Sequence, residues 1–329
     1  MEEALYGTDG YYRRRDWPVG ADGDFVTAPA MSPLFAACTA RLVRRVAERL
    51  GLSEDMLEVG FGDGRHLREL AARLGGARLR GLDRNGRTAP PGVETIASLD
   101  DIALANVRGV IFSYELFDAL PARRLVGTAE GPREMRVDLD ANSRFVYRQA
   151  LLEEASLSSS LRAVANRLAP GQVADVAEGW EPLYRELTRR LGEGLIVTCD
   201  YGFADGRLYD MRARPNGTLA AYRRHRVHRD LLVDVGEQDL SEHVDFDLLR
   251  EVGESEGLAT VALTRLANWL VACGLFGDLA EAAPQARAEA MALLDLEGPG
   301  TETLVLVQSR GIDGAAATAL FDVPLLAAR

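Results

Sequence analysis

"LEVGFGDGRHL" (residues 57–67) places three glycines within five positions, directly after an apolar run and directly before a segment with helical spacing. The spacing predicts a helix over 64–74, and strand-like runs follow at 78–83, 93–97 and 109–114. Short buried strands that alternate with helices are typical of a doubly wound parallel sheet. The stretch therefore predicts an α/β fold in which a glycine turn follows the first strand.

The rest of the chain extends this pattern. Ser32 and Pro33 are residues that favour a helix start, and apolar side chains then recur at helical spacing over 32–50. The other predicted elements are strand 56–59, a hairpin of strands 133–140 and 143–149, helices 152–168 and 180–191, strand 195–199, helix 246–256, strand 258–263, helices 265–275 and 282–295, and strand 303–309. Residues 203–245 form a polar segment that is too long for an ordinary connection, so we expect it to be functional.

These elements suggest a division of the chain into three parts. We expect an N-terminal strap or lid over 1–31 and a hairpin and helical insertion over 133–194. The remaining residues, 32–132 and 195–329, would form the core of the wound sheet.

Composition excludes several classes of function. All 38 basic residues are arginines, which excludes a Walker-type phosphate loop, a pyridoxal Schiff base and a lysine general base. The net charge of −12 argues against a nucleic-acid partner. The three cysteines and four histidines lack metal-ligand spacing, so no metal is expected. Without an apolar run of roughly 18 residues or a secretory signal pattern, we expect no membrane partner and a cytoplasmic protein.

The glycine turn fits two classes of ligand, the dinucleotides and S-adenosylmethionine. Glu58 at the end of the strand would repel a diphosphate, but it suits a sulfonium and an ammonium group. Asp83, 23 residues after Gly60, could accept hydrogen bonds from ribose hydroxyls in either class. We therefore expect S-adenosylmethionine as the cofactor, bound by Glu58, Gly60, Gly62, Gly64 and Asp83. A dinucleotide, or a tight turn without a ligand, remains an alternative.

A second group of polar residues follows the strand at 109–114. "YELFDALP" (114–121) would project Glu115 and Asp118 from the carboxyl edge of the sheet, where wound folds bind ligands. Asp118 is also compatible with a capping role in the following turn. Asp200 and Tyr201, which follow strand 195–199, could line the same cleft, and Tyr201 fits the core equally well. Glu115, Asp118 and Tyr201 are the candidate catalytic residues.

The long segment 203–245 and the start of the next helix carry opposite charges close together. A basic run, "YRRHRVHR" (222–229), is followed by acidic residues over 234–247. We expect the two runs to pair and to form an ordered lid over the cleft. His225 is a lesser candidate for a proton acceptor.

Several blocks of this sequence resemble the MidA family. They are "GDFVTAPAMSPLF" (23–35), "EVGFGDG" (58–64), "YELFDALP" (114–121), "CDYGF" (199–203), "GTLAAYRRHRVHRD" (217–230) and "GEQDLSEHVDF" (236–246). Members of that family are S-adenosylmethionine-dependent methyltransferases related to the mitochondrial complex I assembly factor, which dimethylates an arginine of a complex I subunit. The resemblance implies a class I, Rossmann-like methyltransferase fold with a helical insertion, the donor near Glu58 to Asp83, and Glu115 and Asp118 facing the acceptor.

The chain also departs from the family pattern. Ala30 stands where the family usually has glutamate, Phe61 where it has proline and Tyr114 where it has asparagine. The changes at Ala30 and Tyr114 affect the acceptor side and support a small-molecule acceptor, whereas the presence of Glu115 and Asp118 disfavours a non-catalytic role. Three hypotheses stay open. These are a protein arginine N-methyltransferase, with a respiratory complex subunit as one candidate substrate, a small-molecule O- or N-methyltransferase, and a non-catalytic donor-binding assembly factor. The resemblance is also compatible with a homodimer.

Overall fold

The computed structural model describes residues 1–13, 20, 23–101, 104–153, 157–295 and 298–328. Its strands are β1 (Asp55–Val59), β2 (Arg78–Leu82), β3 (Glu94–Ile96), β4 (Val107–Tyr114), β5 (Ala122–Thr128), β6 (Gly131–Leu139), β7 (Phe145–Leu151), β8 (Val173–Ala177), β9 (Leu191–Phe203), β10 (Ala220–Arg223), β11 (Arg226–His228), β12 (Asp239–Ser241), β13 (Val244–Asp245), β14 (Ala259–Arg265) and β15 (Thr303–Arg310). Its α-helices are α1 (Glu2–Tyr6), α2 (Ala28–Met31), α3 (Pro33–Leu50), α4 (Arg65–Arg73), α5 (Ser159–Ala165), α6 (Trp180–Arg190), α7 (Phe246–Ser255), α8 (Leu266–Ala272), α9 (Leu275–Glu281), α10 (Pro284–Ala292), α11 (Pro299–Glu302) and α12 (Gly314–Thr318).

The main sheet has the strand order β14-β15-β9-β4-β1-β2-β3, with β13 paired to the end of β9. Strands β9, β4, β1, β2 and β3 run parallel to one another, whereas β15 runs antiparallel to both β9 and β14. The doubly wound, Rossmann-like sheet predicted from the sequence is thus confirmed. The chain winds away from β1 in both directions, so a crevice opens beside the carboxyl ends of β1 and β4.

Strand periodicity divides the core between the two faces of this sheet. In β4, Val110 and Phe112 pack against α3 and α4 on one face, and Ile111 packs against α6 and α7 on the other. In β9, Val197 and Ile196 alternate in the same way. Successive side chains of a strand point to opposite faces, so a strand covered on both sides is apolar throughout.

The predicted hairpin is confirmed, and it belongs to a larger sheet. Strands β6 and β7 pair with Leu139 opposite Phe145. They continue into a four-stranded antiparallel sheet in the order β7-β6-β5-β8. Strands β5 and β8 were not predicted. Strand β5 is half-buried and contains two arginines, and β8 is interrupted by Asp175, so neither shows the continuous apolar run by which β1, β4 and β9 were found. This sheet crosses the predicted boundary at residue 132, and the division of the chain into domains stays a prediction.

Two other segments differ from expectation. Helix α5 is much shorter than the predicted 152–168: it begins where the side chain of Ser158 accepts a hydrogen bond from the Leu161 N–H, and residues 154–156 lie outside the described part. The polar segment 203–245 contains a three-stranded antiparallel sheet of β11, β10 and β12. We call this the lid sheet.

The N-terminal strap contains α1, a short 3₁₀ turn at Tyr11–Arg13 and α2. Residues 14–19 and 21–22 of the predicted strap lie outside the described part of the chain. Within the described ranges, no helix combines the length and the apolar character that crossing a bilayer requires.

Candidate active site

A cavity of about 1320 Å³ lies at the carboxyl ends of the parallel strands. The residues that end β1, β2, β4 and β9, among them Val59, Leu82, Tyr114 and Tyr201, all contribute to its wall. The N-terminal segment and the lid sheet close it from the other side, for example through Tyr6, Tyr12, Ala220, Tyr222 and Asp239. The cavity therefore occupies the crevice that the strand order creates.

The glycine turn forms one wall of this cavity. Gly60, Gly62 and Gly64 have φ angles of 75°, 58° and 69°, in the left-handed region that glycine adopts without strain. A β-carbon on Gly60 would lie 2.9 Å from Cδ1 of Leu116. Gly60 and Gly62 line the cavity, whereas Gly64 is the N-terminal cap of α4. Two of the three glycines thus present bare backbone to the cavity, and the third shapes the helix start.

The two acids predicted to hold the donor line the same cavity. Asp83 is buried and accepts hydrogen bonds from the backbone N–H groups of Gly62 at 3.3 Å and Asn85 at 2.8 Å. Glu58 is also buried, and its Oε2 lies 2.9 Å from Nδ1 of His66. Each carboxylate oxygen can accept a second hydrogen bond, so both acids keep capacity for a ligand.

His66 was not singled out from the sequence. Its ring is 4% exposed and contacts Glu58 on one side and Thr39 of α3 on the other, with Nε2 3.3 Å from the threonine Oγ1. The rings of Phe35 and Phe112 pack around it at 5.3 and 5.2 Å between centroids. The available signal was its position in the first turn of α4, directly before the inward-facing Leu67.

The loop after β4, residues 115–118, carries two of the candidate catalytic residues. Glu115 has a φ of 49°, which is uncommon for a residue with a side chain. Its backbone N–H donates to the carbonyl of Cys199 at 3.0 Å. The loop is held by Asp200, whose side chain accepts hydrogen bonds from the backbone N–H groups of Leu116, Phe117, Asp118 and Tyr201. Asp200 was expected to line the cleft, but it is fully buried and is not among the residues that line the cavity, because its carboxylate is turned toward these backbone N–H groups.

Glu115 and Asp118 both line the cavity. The groups that most strongly shift the pKa values of their carboxyl groups include no cation. Burial, followed by repulsion from Asp200, raises the pKa of each well above its ordinary range, and hydrogen bonding from Tyr114 and Tyr201 partly offsets this for Glu115. Oε1 of Glu115 is buried and has no hydrogen-bond partner among the described residues. The Asp118 side chain makes no capping bond to the following turn within the described residues, so the capping interpretation is not supported.

Tyr201 is half-buried at the end of β9 and lines the cavity beside Glu115. Burial and repulsion from Glu115 and Asp118 raise the pKa of its phenol well above its ordinary range. Tyr201 therefore stays protonated and can donate a hydrogen bond to the Glu115 carboxylate. The three candidate catalytic residues are brought together in one wall.

The lid sheet and the residues that follow it contribute two further acids to the cavity wall. Asp239 and Glu242 were expected to pair with the basic run, but both are buried and line the cavity. Asp239 accepts hydrogen bonds from Tyr12 Oη at 2.7 Å and Ser241 Oγ at 3.1 Å. Burial raises its pKa to about 6. Burial, and then repulsion from Asp175, raises the pKa of Glu242, whose Oε2 has no hydrogen-bond partner among the described residues.

Among the described residues, the expected pairing between the charged runs is seen at the rim. Arg223 forms ion pairs with Asp234 and Glu237, away from the cavity. His225 lies in the exposed turn between β10 and β11 and is not among the residues that line the cavity, so it is poorly placed to accept a proton there. No sequence signal separates Asp239 and Glu242 from the exposed acids nearby, because only the packing of the lid sheet over the cavity buries them.

The sequence of this chain matches a known protein family. The profile of the family described as "Putative S-adenosyl-L-methionine-dependent methyltransferase" matches residues 66–264 of this chain. The chain belongs to this family, the MidA-like methyltransferases. Its methyl donor is S-adenosylmethionine.

Relatives and solved structures agree with this membership. The mitochondrial protein arginine methyltransferase NDUFAF7 of Xenopus laevis is 27% identical over 298 residues, which cover 78% of this chain and 65% of the relative. The corresponding Danio rerio protein is 26% identical over 310 residues, covering 80% and 70%. A Burkholderia thailandensis protein crystallised with S-adenosyl-homocysteine is 29% identical, with a TM-score of 0.84 over 96% of this chain and 88% of that one. The chain thus spans about two thirds of the length of the first of these curated relatives.

The residues that line this cavity fit the methyl donor of the family. The donor carries an ammonium group, a sulfonium and two ribose hydroxyls, and the cavity offers Glu58, a turn without side chains and Asp83 along one wall. Ser98 and Leu99, which follow β3, line the cavity at the same edge of the sheet and were not predicted. They follow the strand that pairs with β2, which ends directly before Asp83.

Proposed function

We propose that this chain transfers the methyl group of S-adenosylmethionine to a guanidinium nitrogen of an arginine side chain in a protein. The observation that carries the proposal is the acidic wall of the acceptor half of the cavity. Glu115 and Asp118 from the β4 loop and Asp239 and Glu242 from the lid all line it. Two of these four acids, Glu115 and Glu242, have a buried oxygen without a hydrogen-bond partner among the described residues.

Such a wall favours a cationic ligand. A buried carboxylate without a partner is costly, and burial and mutual repulsion raise the pKa values of these acids. A cation that enters the cavity supplies the missing partner and allows the acids to ionise. A guanidinium is especially suitable, because its planar set of five N–H donors can engage several carboxylate oxygens at once.

Aromatic side chains add to this preference. Tyr12, Tyr201 and Tyr222 line the cavity, and so does Tyr6, whose ring stacks on Tyr12 at 5.5 Å and already has the guanidinium of Arg84 4.1 Å from its centroid. The face of a tyrosine ring attracts a guanidinium. A flat, delocalised cation therefore matches both the charge and the shape of the acceptor wall.

The chemistry requires the nitrogen lone pair to attack the methyl carbon in line with the carbon–sulfur bond. The nitrogen–carbon bond forms, the carbon–sulfur bond breaks, and its electron pair stays on sulfur, which becomes a neutral thioether. The nitrogen must also lose a proton, which is unfavourable near neutral pH because the pKa of a free guanidinium is roughly 12. We assign this proton to Glu115, whose carboxylate is oriented by Tyr201, while Asp118 holds the other face of the guanidinium.

Similarity supports the same acceptor. The relatives from Xenopus and Danio are named as protein arginine methyltransferases. A protein substrate also agrees with the size of the cavity, about 1320 Å³, which exceeds the roughly 300–1,000 Å³ of ordinary small-molecule pockets and leaves room for a side chain beside the donor. A respiratory complex subunit is one candidate acceptor by analogy with the family.

The test is transfer of a radiolabelled methyl group from S-adenosylmethionine into a heat-treated lysate. The lysate protein would be separated from small molecules, hydrolysed in acid and resolved by amino-acid chromatography. We expect the label in methylated arginine. Label in the small-molecule fraction or in another amino acid would contradict the proposal, as would donor binding by calorimetry without any transfer.

A matched pair of variants connects the activity with the acidic wall. Glu115→Gln keeps the shape of the side chain but removes its charge, and we expect transfer to fall by about 100-fold, the usual contribution of a positioned proton acceptor. Glu281→Gln makes the same change at an exposed position at the end of α9 and should leave transfer unchanged. Full activity of Glu115→Gln would show that the proton goes elsewhere.

Location and assembly stay predictions. The sequence pattern favours a cytoplasmic protein, while the curated relatives are named as mitochondrial. We propose the cytoplasm for this chain, to be checked by fractionation of cells that express it. The homodimer is likewise to be tested, by light scattering.

A further inference from the structure

The donor half of the cavity contains a buried three-residue chain of hydrogen bonds. It runs from Glu58 on β1 through His66 on α4 to Thr39 on α3, and ends at the carbonyl of Phe35. Glu58, His66 and Thr39 are 5%, 4% and 0% exposed. Glu58 and His66 also line the cavity. The chain therefore connects a ligand-facing carboxylate to the rigid first helix of the core.

The direction of these hydrogen bonds determines the proton positions on His66. The hydroxyl of Thr39 has one proton, which it donates to the Phe35 carbonyl at 3.2 Å. Toward Nε2 of His66 the threonine oxygen can then only accept, so Nε2 must carry a proton. The other ring nitrogen, Nδ1, faces Oε2 of Glu58 at 2.9 Å, and one proton is shared between them.

This arrangement leaves one oxygen of Glu58 for a ligand. Within the described residues, the Glu58 side chain makes no hydrogen bond other than the one to His66. Oε2 is held from one side by a ring that Phe35 and Phe112 fix in place. Side chains that bind ligands need such support, because a carboxylate that rotates freely loses the geometry of its contact.

We propose that His66 is a positioning residue for the methyl donor: it holds Oε2 of Glu58, so that Oε1 receives the ammonium group of the donor's amino-acid part. The proposal rests on the donor assignment and is independent of the acceptor.

Donor binding measured by calorimetry tests this without any acceptor. His66→Leu removes both hydrogen bonds and should weaken S-adenosylmethionine and S-adenosylhomocysteine equally, by about tenfold, since both carry the ammonium group. Methylthioadenosine, which has the nucleoside and sulfur but no amino-acid part, should bind equally well to both proteins. A comparable loss for all three compounds would show a general structural effect and overturn the proposal.

Two further variants separate positioning from folding. His66→Asn places an amide N–H where Nδ1 lies, so it should restore affinity for S-adenosylhomocysteine to within about threefold of the original. Thr39→Val keeps the shape of the threonine but removes its oxygen, and should give an intermediate loss. If His66→Asn binds as weakly as His66→Leu, the contact with Glu58 does not position the donor.

Nitrogen NMR gives a readout that a purely structural role would not produce. The chain has four histidines, and the signal that disappears in His66→Asn identifies residue 66. We expect Nε2 of His66 to be protonated both in the free protein and in the complex with S-adenosylhomocysteine. A ring with an unprotonated Nε2 in either state would overturn the inference. Failure of arginine methylation would leave each of these binding and NMR results unaffected.

Discussion

Replacement of Asp200 tests how the acceptor loop is held. Asp200 is fully buried and accepts four backbone hydrogen bonds, from Leu116 at 3.1 Å, Phe117 at 2.8 Å, Asp118 at 3.4 Å and Tyr201 at 2.9 Å. In Asp200→Ala these donors lose their acceptor. A buried donor left without a partner costs about 1–3 kcal/mol, and the N–H groups of Phe117 and Asp118 are both buried. We therefore expect a loss of about 2–6 kcal/mol in the free energy of unfolding.

Asp200→Asn provides the matched control. Its amide oxygen can replace Oδ2, which accepts three of the four bonds, while the amide nitrogen would face only the N–H of Tyr201. Burial raises the pKa of Asp200 to about 7, so the loss of a full negative charge costs little at neutral pH. We expect the asparagine variant to lose less than about 1.5 kcal/mol.

Urea unfolding at neutral pH, followed by far-ultraviolet circular dichroism, measures both variants. A smaller loss for asparagine than for alanine would show that the acceptor oxygens hold the loop. Equal losses would show instead that the charge of Asp200 is what matters. A loss below about 1 kcal/mol in the alanine variant would refute the reasoning, because the backbone donors would then have found other partners.

Three further changes have defined outcomes. Gly60→Ala should weaken donor binding in calorimetry and lower the free energy of unfolding by about 1–3 kcal/mol, because the φ of Gly60 is 75° and a β-carbon would lie 2.9 Å from Leu116. Gly51→Ala is the control: with a φ of 65° and no atom within 4 Å, it should show the cost of the backbone conformation alone in urea unfolding. Burial raises the pKa of Asp239 to about 6 in the folded protein. Between about pH 4 and pH 6 the folded state therefore binds a proton at this site that the unfolded state has lost, and the stability that this proton contributes falls as the pH rises. Asp239→Asn should therefore gain stability relative to the original chain over that range, by at most about 3 kcal/mol, and a constant difference would contradict the expected titration. Tyr6→Phe removes the hydrogen bond to the carbonyl of Ala119 and should cost about 1 kcal/mol in urea unfolding, whereas no change would show that the N-terminal segment is held by packing alone.

The wound sheet and the donor wall were predictable because both follow from local patterns. Buried parallel strands are continuous apolar runs, so β1, β4 and β9 can be recognised individually. A glycine turn between a strand and a helix has few uses, and the acids at Glu58 and Asp83 lie beside it in strand register. Since parallel strands end at one edge of their sheet, the order of elements along the chain is enough to bring their terminal residues near one another.

The acceptor wall depended on contacts between distant segments. Asp239 and Glu242 have the same sequence signature as the solvent-exposed acids nearby, and only the packing of the lid sheet over the cavity buries them. Asp200 and His66 support the β4 loop and Glu58 through contacts across the fold. Charge pattern alone does not show whether a carboxylate meets water, an arginine or an empty cavity. That choice is made by tertiary packing, since it sets the desolvation that each acid experiences.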